Sequence, residues 1–202
     1  CNNGVIKLDF QINITISTIS TATLAGCAPF TASLANSTPS ANTTYTWYSN
    51  GAPVSNGLSL TTTYTAAGIY TLALVSFNSA SCNRKDSAIT YVTVYPNPTV
   101  NFNPSVSPCT NSMALTNQST GNFGANPFSW TFGDGGTSTL TAPSHVYNTN
   151  GTFTITLTAK DVNGCTAALS KTVGILQFAP ASSQATICQG AAATLTASGG
   201  TS

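Results

Sequence analysis

Side chains able to do acid–base or metal chemistry are few in this chain. Asp134 and His145 stand in "SWTFGDGGTSTLTAPSHVY", and Asp161 and Asn163 follow in "KDVNG". His145 is the only histidine, and Asp134 is one of four acidic residues. General acid–base catalysis needs groups within hydrogen-bond reach of one reacting atom, so this single Asp and His would have to supply it alone. A hard cation such as calcium takes six or more oxygens, and Asp134 with Asp161 or Asn163 falls short of that number. No "GxSxG", "HExxH" or phosphate loop occurs. We read no catalytic residue, no metal and no cofactor here. Gly133, Gly135 and Gly136 around Asp134 point instead to a tight turn: glycine supplies positive φ, and the aspartate binds backbone N–H two residues on. His145, with no second histidine to share a metal, reads as a packed, hydrogen-bonded structural residue.

What positions these residues is a repeat. "YTWYSNG" from residue 45 aligns with "FSWTFGD" from residue 128, and the register continues without a gap. Trp47 matches Trp130, Tyr64 matches Tyr147, Gly68 matches Gly151, Tyr70 matches Phe153 and Cys82 matches Cys165, all 83 residues apart. Cys27 matches Cys109 at 82. The six cysteines reduce to two kinds, one opening a unit (Cys27, Cys109, Cys188) and one following its penultimate strand (Cys1, Cys82, Cys165). Residues 1–17 therefore read as the last strand of a preceding repeat, 18–96 and 97–178 as complete units, and 179–202 as the first strands of another. A chain that begins at Cys1 without Met or a signal segment reads as a piece of something longer. Trp47 and Trp130 could stack on sugars, but their shared place in each repeat makes them core anchors.

Period-two alternation in "GIYTLALVSF" and "GTFTITLTAK" predicts strands with Leu72, Leu74, Ile155 and Leu157 on one face and mostly Thr or Ala on the other. Short strands with Gly, Asn and Pro punctuation predict an all-β fold of two-sheet sandwiches. Pro96 and Pro98 in "YPNPTV" stiffen the link, so the sandwiches should be joined end to end.

"SWTFGDGG", then "APSHVY", then "NGTFTITLTAKDVNG" resembles the PKD domain, an immunoglobulin-like sandwich, through Trp130, Gly133, Asp134, Gly135, His145, Tyr147 and Gly151. Residues 18–96 keep the Trp, the Tyr and the Cys but have "YSNG" for "FGDG", a plainer immunoglobulin-like or PKD-like copy. Tandem arrays with this cysteine pair are similar to giant surface adhesins and filaments of gliding and other Gram-negative bacteria. The resemblance implies a secreted, cell-surface protein.

Disulfide pairing within each unit, Cys27 with Cys82 and Cys109 with Cys165, would close loops of 55 and 56 residues and stabilise each by roughly 4 kcal/mol. An immunoglobulin-like topology, however, puts the two kinds of cysteine at opposite ends of the domain. Strands of seven residues span roughly 23 Å, against a limit of about 7 Å between bridged Cα atoms. Units stacked end to end would instead bring Cys27 to Cys165, the pairing we favour, leaving Cys1, Cys82, Cys109 and Cys188 to partners outside this segment.

Only 4% of residues are Asp, Glu, Lys or Arg and the net charge is +1, against roughly 25% charged in an average soluble protein. Nothing steers nucleic acid or anionic lipid to such a surface, and no apolar run reaches the roughly 18 residues of a membrane helix. Sequons place candidate glycosylation at Asn13, Asn36, Asn42, Asn117 and Asn150, and "DSA" resembles a bacterial O-glycosylation signal with Ser87 as acceptor. Sheet edges are ordinarily guarded by charge, which is scarce here, so glycans or other chains should cover them, with residues 5–16 paired to a neighbouring unit. The expected role is a non-catalytic extracellular structural repeat, its partners other repeats of the same protein or identical chains in a filament. An adhesin module for carbohydrate or protein, with Phe123 in "STGNFGANP" as its exposed aromatic, is the first alternative. An accessory domain of a secreted enzyme is the second. With so few ion pairs available, the unfolding midpoint should move little between low and molar salt, where surface charges are screened within about 3 Å. A large salt-induced loss of stability in a denaturation series would contradict this.

Overall fold

A computed structural model describes residues 14–20, 24–107 and 111–176. The expectations placed on Cys1, residues 5–13, Asn13, Cys109, Cys188 and residues 179–202 lie outside these. Every regular element among the described residues is a β-strand, and no helix there is long and apolar enough to cross a membrane. The fold is all-β, as two compact units of immunoglobulin-like sandwich type. Of the described residues, one takes those up to Asn97 with Asn163–Cys165, the other those of Pro98–Val162 and from Thr166 on.

In the first unit the strands are β1 (Ile19–Ser20), β2 (Ala25–Cys27), β3 (Phe30–Asn36), β4 (Thr44–Ser49), β5 (Ala52–Asn56), β6 (Ser59–Tyr64), β7 (Gly68–Phe77) and β8 (Lys85–Tyr95). They form sheets in the orders β1-β3-β6 and β2-β8-β7-β4-β5. All pairs are antiparallel except β2 on β8. Ala32, Leu34, Trp47, Leu60, Leu72, Leu74, Val92 and Val94 fill the space between the sheets. Ile14–Ser17, assigned from sequence to a preceding repeat, makes its contacts with this unit. Thr15 N–H donates to Asn83 Oδ1 (2.8 Å), Asn83 Nδ2 donates to Thr15 O (2.7 Å), and Ser17 N–H donates to Asp86 Oδ2 (2.7 Å).

The second unit holds β9 (Phe102–Ser107), β10 (Ser112–Asn117), β11 (Phe128–Thr131), β12 (Thr137–Ser138), β13 (Ser144–Val146), β14 (Gly151–Lys160) and β15 (Thr166–Ile175). Its sheets run β13-β10-β9 and β12-β11-β14-β15. Alternation in β14 sends Ile155, Leu157 and Ala159 inward and its threonines outward. Phe102, Met113, Leu115, Phe128, Trp130, Phe132 and Tyr147 complete that core.

Each core is built around its tryptophan. Trp47 pairs with Leu74 and Trp130 with Leu157 on the neighbouring strand, and both indoles are fully buried. Each indole N–H finds a carbonyl ten residues on: Gly57 O at 3.1 Å and Leu140 O at 2.9 Å. Burying the ring while satisfying its one donor is what makes a central Trp net stabilising. Replacing Trp130 by Ala should cost about 3–5 kcal/mol, read in urea unfolding. Trp130→Phe, which keeps a ring but strands the Leu140 carbonyl, should cost less. Equal losses in the two variants would assign the whole effect to the indole hydrogen bond.

Candidate functional site

The turn after β11 gathers the residues singled out in the sequence. Gly133 and Gly135 adopt φ +86° and +94°. A Cβ on Gly133 would stand 2.8 Å from both the N and the O of Thr154, so only glycine lets this turn lie against β14. Gly136, expected to share the positive φ, is not among the positive-φ glycines. It is needed for space, because a Cβ there would meet His145 Cε1 at 2.6 Å.

Asp134 is fully engaged. Its Oδ1 accepts Gly136 N–H (2.9 Å) and its Oδ2 accepts His145 Nε2–H (2.7 Å). His145, on β13, stacks on Phe132 with centroids 4.1 Å apart and meets Tyr147 edge-on at 4.6 Å. Tyr147 in turn stacks on Phe153 (4.3 Å) and donates its O–H to the Phe132 carbonyl (2.9 Å). Burial pulls the Asp134 carboxyl up, but the hydrogen bonds from His145 and Gly136 and the imidazole charge outweigh it and hold the group below its usual value. Burial, then the Asp134 charge, pushes the Tyr147 phenol up to about 12. Both Asp134 carboxylate oxygens, His145 Nε2 and the Tyr147 hydroxyl are thus engaged within the cluster. The arrangement fixes the approach of β13 to β11 and offers no group poised over a cleft.

The first unit meets the same geometry with other side chains. Tyr64 stacks on Tyr70 at 4.0 Å, and its hydroxyl bonds Ser49 Oγ at 3.1 Å. Asn50, at φ +48°, stands where the other unit has Gly133, and its Oδ1 accepts Thr71 N–H at 2.9 Å.

Asp161 is not near this turn. Lys160 N–H bonds Pro127 O and Phe128 pairs with Ala159, so Asp161 lies past the end of β14 that faces the start of β11. Thr154, against Gly133, is seven residues away along an extended chain, roughly 23 Å. Asp134 therefore cannot share one cation with Asp161 or Asn163, which corrects that candidate set. Among the described residues no three His, Cys, Asp or Glu side chains gather as a metal site.

The cysteines are brought together differently from the within-unit alternative. Cys27 is bonded to Cys165, with Cα atoms 5.4 Å apart and 138 residues between them in sequence, while Cys82 is an exposed free thiol. Cys27 with Cys82 and Cys109 with Cys165 are therefore not formed. Cys27 lies opposite Tyr95, whereas Cys82 precedes Lys85, and β8 runs between those points, a span of about 30 Å.

Two glycosylation candidates are also corrected. Asn36 and Asn117 close β3 and β10, and each Oδ1 accepts the N–H two residues on, Thr38 at 3.1 Å and Ser119 at 2.9 Å. Their Nδ2 atoms are buried, beyond reach of a transferred glycan. Asn42, Ser87 and Asn150 are exposed. Phe123, expected as an exposed aromatic, packs edge-on against Phe128 (5.0 Å) at the margin of the core. The residue that sequence reasoning missed is Phe132, the floor under His145, and the sequons of Asn36 and Asn117 masked their turn-closing place at the ends of β3 and β10.

The lowered Asp134 value gives stability that is present above the unfolded carboxylate pKa, about 3.9, and lost as pH falls through the folded one. Asp134→Asn should cost about 1 kcal/mol at neutral pH, the pair being a quarter exposed and so partly screened. That difference should shrink in chemical unfolding below about pH 4. A difference that stays constant through the acid range would detach the carboxylate charge from the turn.

Residues 95–176 match the family described as PKD domain. Among curated proteins the chain is 46% identical over 46 residues to a microbial collagenase of Vibrio alginolyticus, covering 23% of this chain and 6% of that protein. It is 57% identical over 35 residues to collagenase ColA of Bacillus cereus, covering 17% and 4%. The chain thus spans a small fraction of these relatives. Among solved structures, the PKD1 domain of the Vibrio cholerae metalloprotease PrtV is 29% identical, with 39% of this chain and 96% of that one covered, at a TM-score of 0.36. With Trp130, the FGDG turn and the His145–Tyr147 pair in place, residues 95–176 are similar to a PKD domain.

Proposed function

We propose that the chain is a non-catalytic, extracellular, load-bearing repeat of a long bacterial surface protein or filament. The carrying observation is the bond between Cys27 and Cys165. Tension that enters before Cys27 and leaves after Cys165 passes through the disulfide, so the residues between are shielded from it. Such a bond belongs to an oxidising compartment. Partners on this reading are further repeats of the same protein or identical chains.

A second reading has a specific surface behind it. Ile69 and Phe77 on β7 and Ile89 and Tyr91 on β8 share one outward face and are exposed by 70, 48, 61 and 61%. The matching places of the second unit carry Thr152, Lys160, Ser170 and Thr172. An apolar face confined to one repeat supports an adhesin role for that repeat within the same molecule. The collagenase and metalloprotease relatives support the alternative of an accessory domain in a secreted enzyme, which a catalytic domain in the parent polypeptide would establish.

The shielding is measurable by pulling single chains from their ends. Reduction should release the 138-residue separation at about 3.5 Å per residue, roughly 480 Å of extra stretched length. The same contour with and without reductant would overturn the load-bearing reading.

A further inference from the structure

We infer that the outward face of the sheet holding β4, β7 and β8 is a homotypic interface, on which the same face of a second copy of this chain packs with its strands antiparallel. The contact is between sheet faces, so it is distinct from the strand-edge pairing expected from sequence. Period-two alternation sends Leu72, Leu74, Val92 and Val94 into the core, and the side chains between them point out. Tyr48, Ala73 and Ile89 make one row across three strands, with Val75 and Tyr91 on either side of it. Ile69 and Phe77 mark the two ends, exposed by 70 and 48%. The matching places of the second unit carry hydroxyls at Thr152, Ser170 and Thr172. Large apolar side chains gathered on one open face mark a surface that is covered in use.

Extent and charge select the occupant. Strands β7 and β8 pair without a break from Gly68 opposite Val94 to Phe77 opposite Lys85, a length of about 34 Å. With the shorter β4 and β5 beside them the flat sheet covers roughly 500 Å². The relief of the standing side chains raises this toward the value of about 800 Å² that each partner gives to a standard-size interface. Among the outward positions of β4, β7 and β8 only Lys85 is charged. An average protein surface, with roughly 25% of its residues charged, would bury charges against such a face with no partner to offset them. This chain is 4% charged, and its own face meets the requirement.

Lys85 also sets the orientation. Antiparallel packing puts the two copies' Lys85 at opposite ends, each beside the other copy's Ile69, where the ammonium reaches solvent past the end of the sheet. Parallel packing would bring the two ammonium groups together. Facing sheets lie about 10 Å apart with strands within about 30° of each other. Ile89, halfway along the paired stretch, then meets its own counterpart across a two-fold axis. Ser87, the candidate glycan acceptor, stands on the same face opposite Val75, so a glycan there and a second copy exclude each other.

This inference deepens the filament reading and rests on it only for the meaning of the contact. The whole 202-residue chain, with Cys27 and Cys165 bonded and its free thiols alkylated, is sedimented over a concentration series. A monomer–dimer equilibrium is expected. Ile89→Lys, which sets two lysines face to face at the axis, should weaken it at least about a hundredfold. Ile89 is 61% exposed, so the urea midpoint of the dilute variant should match that of the parent. Thr172→Lys, on the matching face of the second unit, should leave dimerisation unchanged. A chain still monomeric at about 100 μM, as an adhesin face kept open for another ligand would be, overturns the inference. So does a dimer that Ile89→Lys leaves intact, or a glycan on Ser87 in native material. The load-bearing proposal is decided separately, by the length released on reduction in pulling experiments.

Discussion

Both units hang on one buried contact, a tryptophan on the central strand whose indole N–H is met by a carbonyl ten residues later. Trp47 to Gly57 O and Trp130 to Leu140 O place the returning strand under each ring. Without that acceptor the indole would bury an unpaired donor, at a cost of about 1–3 kcal/mol. The acceptor arrives only if the intervening turn has the right length and shape. That requirement makes the turns after β4 and β11 the places where sequence is constrained, and it explains why glycine, asparagine and aspartate cluster there.

Charge scarcity decides how the remaining polar groups are held. Neutral pairs such as Thr31 with Thr63 and Thr156 with Ser170 do across strands what ion pairs do elsewhere, and Ser17 with Ser76 ties the leading segment to β7. One of the few cations serves a sheet edge. Lys171 points inward from the outer strand β15, donating to the Phe102 carbonyl and to Asn101 Oδ1 and lying 5.1 Å from the Phe102 ring. At the matching place the first unit has Thr90, on a strand partly covered by β2. An inward charge on an outer strand discourages pairing with a foreign strand, so edge protection here is achieved with a single lysine at the place that most needs it.

The repeat was legible because it is written in large residues at constant spacing. Trp, Tyr and Cys are rare enough that coincident positions carry information, and alternation in β7 and β14 gave strand faces directly. Phe123 and the sequon asparagines were misread for a common reason. A ring in a glycine-rich loop and an Asn before Ser or Thr look exposed in sequence, yet burial depends on neighbours distant along the chain, here Phe128 for the ring and the turn ending each strand for Asn36 and Asn117. Asp161 was misplaced because distance along a strand is invisible until its partner strand sets direction.

Comparison of the two units separates what the fold needs from what one unit adds. The stacked pairs Tyr64 with Tyr70 and Tyr147 with Phe153 occur in both, and in both the first tyrosine's hydroxyl is tied to the residue two after the tryptophan, Ser49 or Phe132. The aspartate and histidine occur in one. Where they are missing, Asn50 holds the turn by bonding Thr71, at the place where Gly133 lies against Thr154. Two chemistries thus serve one geometric need, bringing the returning tyrosine to its stack. Since the unit without the ionisable pair keeps the stacked rings and a bond to the tyrosine hydroxyl, the pair's effect is on turn geometry and its pH dependence. The Asp134–His145 contact is therefore a local reinforcement of a turn that the first unit holds with neutral groups.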